Sequence, residues 1–131
     1  MGAAAGRDEP APPGELLLKL LKDGAVFRKH ASSAFGGAHR RRVWCPPQLD
    51  RIKWRPLNKK PQSQEKTILV DDIKEITTNR IRKDGIEDRC FSIIATGKRL
   101  DLEADSKALR DQWVQALRYL LARRKKRQAA A

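Results

Sequence analysis

The sequence predicts a mainly β fold with seven antiparallel strands and one C-terminal α-helix. Two alternating segments, Asp88–Ala95 and Lys98–Glu103, are joined by the short turn Thr96-Gly97, which is typical of a β-hairpin. Directly after this hairpin, large apolar residues recur at spacings of three and four positions, which predicts an amphipathic helix over Ser106–Arg123. The apolar face of that helix carries Trp113, so the helix can close the open end of a β-sandwich or barrel.

Proline, glycine and small polar residues delimit the strands that precede the hairpin. A strand over Ala25–Ala31 ends in a loop of small residues, and a second strand over His39–Cys45 stops at two prolines. The third predicted strand is Leu49–Arg55, and a polar loop over Leu57–Lys66 follows it. Strands four and five lie within Thr67–Asn79. With the hairpin, these segments make seven strands.

The residues of the hairpin and the last helix resemble a known family. The run Glu87–Ile93, the strand Leu100–Leu102 and the Trp-bearing helix are similar to the pleckstrin homology domain of delta-type phosphoinositide-specific phospholipase C. The resemblance extends upstream through Val70–Ile76 and covers roughly residues 16–122. It implies a bent, seven-stranded antiparallel sandwich or barrel capped by the helix, and a non-catalytic module that binds membranes.

The length of the chain leaves room for one domain with short tails. At 131 residues, the chain can form one core of about a hundred residues. Residues 15–123 are predicted to form the domain, residues 1–14 a disordered leader, and residues 124–131 a basic flexible tail. Gly2 raises N-myristoylation as an alternative role for the leader, although Gly6 stands where Ser or Thr is favoured.

Positive charge is concentrated in the first half of the domain. The formal net charge is +13, and residues 16–64 hold 12 Lys and Arg against two acids, whereas residues 65–122 hold 11 of each sign. A basic half predicts an anionic partner, because clustered cations repel one another. The candidates are a phosphorylated lipid headgroup, an acidic membrane surface and a nucleic acid. The five cations Arg123–Arg127 are a solvated helix end, a nuclear-import signal or a further anionic contact.

The resemblance also implies a headgroup site. In the family, a basic residue late in strand one and a basic-x-Arg pair in strand two bind the phosphates of the inositol ring. By position, the implied headgroup ligands are Arg28, His30, Arg40, Arg42, Lys59 and Lys60. His30 stands where the family has a second cation, and an imidazole is mostly neutral at pH 7. Phe35 is either a loop tip that enters the membrane interface or an aromatic residue that folds back on the core.

The sequence predicts neither catalytic residues nor a metal or cofactor site. His30, His39, Cys45 and Cys90 do not fall at zinc-ligand spacing, and no phosphate-binding glycine loop or nucleophile elbow is present. The predicted function is membrane recruitment through phosphoinositides or other anionic phospholipids, by a monomer on the cytosolic face of membranes. The alternatives are a protein-interaction module and a nucleic-acid binder. We do not expect the latter, since few aromatic residues lie among the cations.

Overall fold

Seven strands and two helices make up the part of the chain that is described by the computed structural model, namely residues 13–30, 38–57, 65–78 and 87–130. The helices are α1 (Gly14–Asp23) and α2 (Lys107–Ala130). The strands are β1 (Ala25–His30), β2 (Ala38–Trp44), β3 (Arg51–Pro56), β4 (Lys66–Leu69), β5 (Ile73–Thr77), β6 (Cys90–Ala95) and β7 (Lys98–Glu103). Short 3-10 turns, Val70–Asp72 and Glu87–Arg89, precede β5 and β6.

The strands form a single antiparallel sheet in the order β4-β3-β2-β1-β7-β6-β5. The pairing of β1 with β7 joins the two halves of the sheet and covers three residues, from Arg28 opposite Glu103 to His30 opposite Asp101. Ile68 of β4 and Ile76 of β5 come from the two edges of the sheet but belong to the same buried cluster. The sheet therefore curves around one core. The seven strands and the C-terminal helix confirm the predicted fold class.

Trp113 of α2 lies at the centre of this core. Its side chain is fully buried, and its ring meets that of Phe27 edge to face at 5.0 Å between centroids. Phe91 contacts Phe27 in the same way from β6, at 5.4 Å. Edge-to-face contacts of this kind stabilise aromatic pairs beyond the area that they bury. The helix thus caps the core as its apolar spacing predicts.

The start of α2 agrees with the sequence, but its end does not. The hydroxyl oxygen of Ser106 accepts a hydrogen bond from the backbone N–H of Leu109, so Ser106 caps the first turn. The helix then continues to Ala130, although residues 124–131 were predicted to be a flexible tail. Arg, Lys, Gln and Ala are good helix formers and no Pro or Gly interrupts them. In addition, Arg124 and Gln128 both donate hydrogen bonds to Asp71.

The N-terminal helix α1 was not predicted. Leu17, Leu18 and Leu21 are buried, and α1 packs along α2. It ends at Gly24, whose φ of 78° is accessible to glycine and whose N–H donates to the carbonyl of Leu20. A helix of ten residues is marginal by itself, so α1 depends on the apolar face that α2 offers it. Residues 1–12 lie outside the described residues.

None of the helices in the described ranges has the length and apolar character needed to cross a membrane.

Candidate anion-binding site

A cavity lined with cations lies at the end of the sheet where β1 ends, β4 begins and β6 turns into β7. Its volume is about 610 Å³. Its lining consists of Lys29, Trp54, Glu65, Lys66, Thr67, Ile68, Lys98 and Arg99. Four of these eight side chains are cationic and one is acidic, and Glu65 is already engaged by Lys53 at 3.5 Å. The cavity therefore has an excess of positive charge.

The register of β1 and β2 explains why Lys29 reaches this cavity. Phe27 points into the core, and side chains alternate along a strand, so Lys29 lies on the same inner face two residues later. Arg41 is directly opposite Phe27 on β2 and therefore shares that face. Lys66 pairs with Trp54 at the start of β4. Cations from β1, β2 and β4 thus come together on the inner side of the sheet.

Lys29 is held in an unfavourable electrostatic position. Burial lowers the pKa of its ammonium group below 10.5, and the neighbouring charges of Arg41 and Lys66 lower this pKa further, while Asp101 partly offsets them. Across the cavity, the ammonium group of Lys98 donates a hydrogen bond to the carbonyl of Thr67 at 3.1 Å, which ties the β6–β7 turn to β4. A bound anion would relieve the repulsion and accept several charge-assisted hydrogen bonds.

Arg28 and Arg40 lie on the opposite, outer face of the same two strands. They stand directly across from each other in the register, and both are exposed. Like charges in this arrangement destabilise a sheet. The only acid within ion-pair distance of Arg40 among the described residues is Asp105, at 3.6 Å. We call Arg28 and Arg40 the outer arginine pair.

Arg42 also lies on the outer face, but it already has partners. Its guanidinium group donates to the carbonyl of Asp23 at 3.0 Å, next to the end of α1. It also lies 5.6 Å above the ring of Trp44, and Arg55 approaches the same ring at 5.8 Å. Arg42 therefore connects α1 to the sheet through a hydrogen bond and a cation–π contact.

His30 also lies on the outer face but is buried. Its Nε2 atom is 2.8 Å from a carboxylate oxygen of Glu103, and the exposed fractions of the two side chains are 4% and 5%. His30 lies beside Glu103 because β1 pairs with β7 at this point. As the structure stands, His30 is not available to a headgroup. The predicted ligands Lys59 and Lys60 and the predicted membrane-contacting Phe35 lie outside the described residues.

The site residues predicted from the sequence do not include Lys29, Arg41, Lys66 or Lys98. A signal was present, because Arg40-Arg41-Arg42 supplies cations to both faces of β2 and Phe27 marks the inner face of β1. A shift of one residue in matching a strand moves every side chain to the other face. On β1 and β2, Lys29 and Arg41 differ from the predicted Arg28 and Arg40 by such a shift.

Comparison with known proteins identifies the family. The sequence profile described as "Meiotic cell cortex C-terminal pleckstrin homology" matches residues 13–123. Src kinase-associated phosphoprotein 2 of Mus musculus is 27% identical over 121 residues, which are 92% of this chain and 34% of that protein. The chain thus spans about a third of the length of this curated relative.

Solved structures with the same fold share little sequence with this chain. Inner membrane complex sub-compartment protein 1 of Toxoplasma gondii has a TM-score of 0.64 and 16% identity, covering 87% of this chain and 97% of that one. The PLC21 structure of L. pealei has a TM-score of 0.66 and 13% identity, covering 86% of this chain and 16% of that one. At these identities, the likeness shows the fold.

Proposed function

Because this chain belongs to the pleckstrin homology family, we propose that it is a non-catalytic module that recruits its protein to membranes by binding the anionic headgroups of phosphoinositides. The observation that carries the proposal is the crowding of Lys29 and Lys66 in the cation-lined cavity, next to the charge of Arg41 on the same inner face of the sheet. Cations held together against their repulsion are a feature that folding alone does not favour. They match a ligand with several phosphate groups.

The outer arginine pair has a separate role in this proposal. Arg28 and Arg40 are exposed, so they raise the positive potential of the domain without enclosing a ligand. Near an anionic membrane each such cation contributes on the order of 1 kcal/mol. We expect the pair to attract any acidic surface, and the cavity to select the headgroup. The peripheral site of action is then the cytosolic face of a membrane, where anionic lipids are concentrated.

Protein interaction is the second candidate function. Trp44 lies on the outer face between Arg42 and Arg55, and tryptophan and arginine are both enriched among the residues that dominate binding at protein interfaces. A partner at this face would contact Trp44, whereas a headgroup in the cavity would not. Replacement of Trp44 therefore separates the two functions.

Two matched double variants test the lipid proposal. Lys29→Ala/Lys66→Ala and Arg28→Ala/Arg40→Ala each remove two positive charges, from the inner and outer faces respectively. Vesicle sedimentation would use phosphoinositide vesicles and phosphatidylserine vesicles of matched surface charge. We expect the inner variant to lose the preference for phosphoinositides and the outer variant to bind both vesicles more weakly while keeping that preference.

Soluble inositol phosphates provide the competing ligand. They should displace the wild-type protein from phosphoinositide vesicles. They should not displace the fraction of the inner variant that still binds these vesicles. Equal binding of wild type to the two kinds of vesicle would contradict a headgroup site. Loss of the preference in the outer variant alone would move the site to the outer face, where Arg28 and Arg40 lie.

A further inference from the structure

Beyond the proposed lipid site, we propose that three buried residues on the outer face of the sheet, His30, Cys90 and Glu103, bind one Zn²⁺ ion. One ligand atom from each side chain lies within 4.8 Å of the other two, and all three residues are buried. They are far apart in the sequence, so no zinc-ligand spacing marks them. The site is separate from the cation-lined cavity, since the three residues lie on the outer face of their strands.

Three adjacent strands fix the positions of these side chains. Cys90 of β6 stands directly opposite Glu103 of β7, so the two side chains share a face. Arg28 pairs with Glu103 on the other side of β7, and His30 follows Arg28 by two residues on β1. His30 and Cys90 therefore approach Glu103 from both sides. Ligands on paired strands are held more precisely than ligands on loops.

The distances fit a tetrahedral site with little movement. Zinc lies about 2.0–2.3 Å from nitrogen, oxygen and sulfur ligands, which places neighbouring ligand atoms roughly 3.5 Å apart. Nε2 of His30 and Oε1 of Glu103 are now 2.8 Å apart, so they would separate slightly as the ion enters between them. The sulfur of Cys90 would move inward from at most 4.8 Å.

The chemistry of the three ligands selects zinc. A thiolate, an imidazole and a carboxylate form a mixed set that suits Zn²⁺ better than Ca²⁺ or Mg²⁺, which prefer oxygen atoms alone. The thiolate and the carboxylate together neutralise the charge of the ion. A neutral complex is the form that a buried position tolerates best. Because the complex has no net charge, the positive charge of Arg28 next to Glu103 does not repel it.

The fourth position would be filled from outside these three residues. Asp101 lies opposite His30, but its carboxylate already accepts hydrogen bonds from Ser92 and Arg99, at 2.6 and 2.8 Å. Water or a small thiol would complete the tetrahedron. Binding would release the proton of the thiol, so the affinity should rise with pH.

Cobalt substitution in the full chain, purified without a histidine tag, tests the site. Co²⁺ bound by a thiolate gives a charge-transfer absorption in the near ultraviolet that water-bound Co²⁺ lacks. We expect wild type to develop this band at one Co²⁺ per chain and to lose it when Zn²⁺ is added. Cys45→Ser is the matched control, because Cys45 is equally buried but is not part of the cluster. It should keep the band, whereas Cys90→Ser should abolish it.

Glu103→Gln is a second test of the site, for the case that Cys90→Ser does not fold. This variant should fold, since the amide keeps a hydrogen-bonding group next to His30. We expect its Co²⁺ affinity to fall by more than about tenfold. Its melting temperature should no longer rise with Zn²⁺, as that of wild type should. The absence of a band in folded wild type would overturn the proposal, and so would a band that survives in Cys90→Ser or an unchanged affinity in Glu103→Gln.

Discussion

Arg124 holds Asp71 through two parallel hydrogen bonds, from Nε at 3.0 Å and from a terminal nitrogen at 2.8 Å. This pair joins the last part of α2 to the 3-10 turn between β4 and β5, residues that are 53 positions apart. The guanidinium group lowers the pKa of the Asp71 carboxyl below 3.8, mainly through these hydrogen bonds, and Gln128 assists. The arrangement connects the basic end of the chain to the sheet.

Asp71→Asn should loosen the end of α2 without unfolding the domain. Both side chains are partly exposed, so we expect a loss of at most about 1 kcal/mol. Because the folded pKa of Asp71 is lowered, the stabilisation is fully present above pH 3.8 and disappears as the pH falls through that lower value. Amide hydrogen exchange in residues 124–130 should accelerate in the variant at pH 7. Unchanged exchange there would show that helix propensity alone keeps these residues helical.

Gly24 and Gly97 offer a matched pair for testing how α1 joins the sheet. Both have positive φ, 78° and 72°. A Cβ atom at position 24 would lie 2.8 Å from the carbonyl oxygen of Val43 and 2.9 Å from Cβ of Trp44, whereas one at position 97 would meet nothing within 4 Å. Gly97→Ala should therefore cost about 1 kcal/mol of backbone strain, and Gly24→Ala clearly more. Equal melting temperatures for the two variants would contradict the close approach at Gly24.

Replacement of Trp113 should destabilise the domain more than replacement of any other residue of α2. Trp113→Ala should lower the free energy of unfolding by about 3–5 kcal/mol, as expected for a large buried aromatic residue that contacts Phe27. Trp113→Phe should cost much less, because Nε1 of Trp113 is buried without a hydrogen-bond partner among the described residues. Denaturant titration of both variants measures the difference. A phenylalanine variant as unstable as the alanine variant would point to a hydrogen bond that the described residues do not include.

The sequence predicted the fold well because its signals are local. The Thr96-Gly97 turn, the alternation in β6 and β7 and the spacing around Trp113 each act within a few residues, and tertiary packing reinforced them. The helix α1 was not predicted, because its stability comes from packing against α2, which begins more than 80 positions later in the sequence. The pairing of His30 with Glu103 depends on β1 meeting β7, which the sequence pattern does not reveal.

The binding site was harder to predict than the fold because cations lie on both faces of β1 and β2. Arg28 and Lys29 are neighbours in the sequence, yet one is exposed on the outer face and the other lines the cavity. Only the burial of Phe27 in the core shows which of these two residues lies on the inner face. Lys66 and Lys98 reach the same cavity from β4 and β7, so their contribution depends on the curvature of the whole sheet.

Lys29 should lower the stability of the fold while it strengthens binding to phosphoinositides. Its pKa is lowered in the folded state, so the folded protein binds this proton less tightly than the unfolded chain does. The charged form therefore destabilises the fold at neutral pH, and this destabilisation is relieved as the pH rises through the folded pKa. Lys29→Met should raise the free energy of unfolding at pH 7, by about 0.5–1 kcal/mol, while it weakens binding to phosphoinositide vesicles.

Lys74→Met is the control for Lys29→Met, because Lys74 is an exposed strand residue outside the cavity. It should leave both the unfolding free energy and vesicle binding close to those of wild type. The gain in stability from Lys29→Met should shrink as the pH rises through the folded pKa of Lys29, which lies below the ordinary value of 10.5. A methionine variant that is less stable than wild type at pH 7 would show that the stem of Lys29 packs more favourably than its charge repels. In that case the crowding of Lys29 with Arg41 and Lys66 could no longer serve as the argument for an anion site.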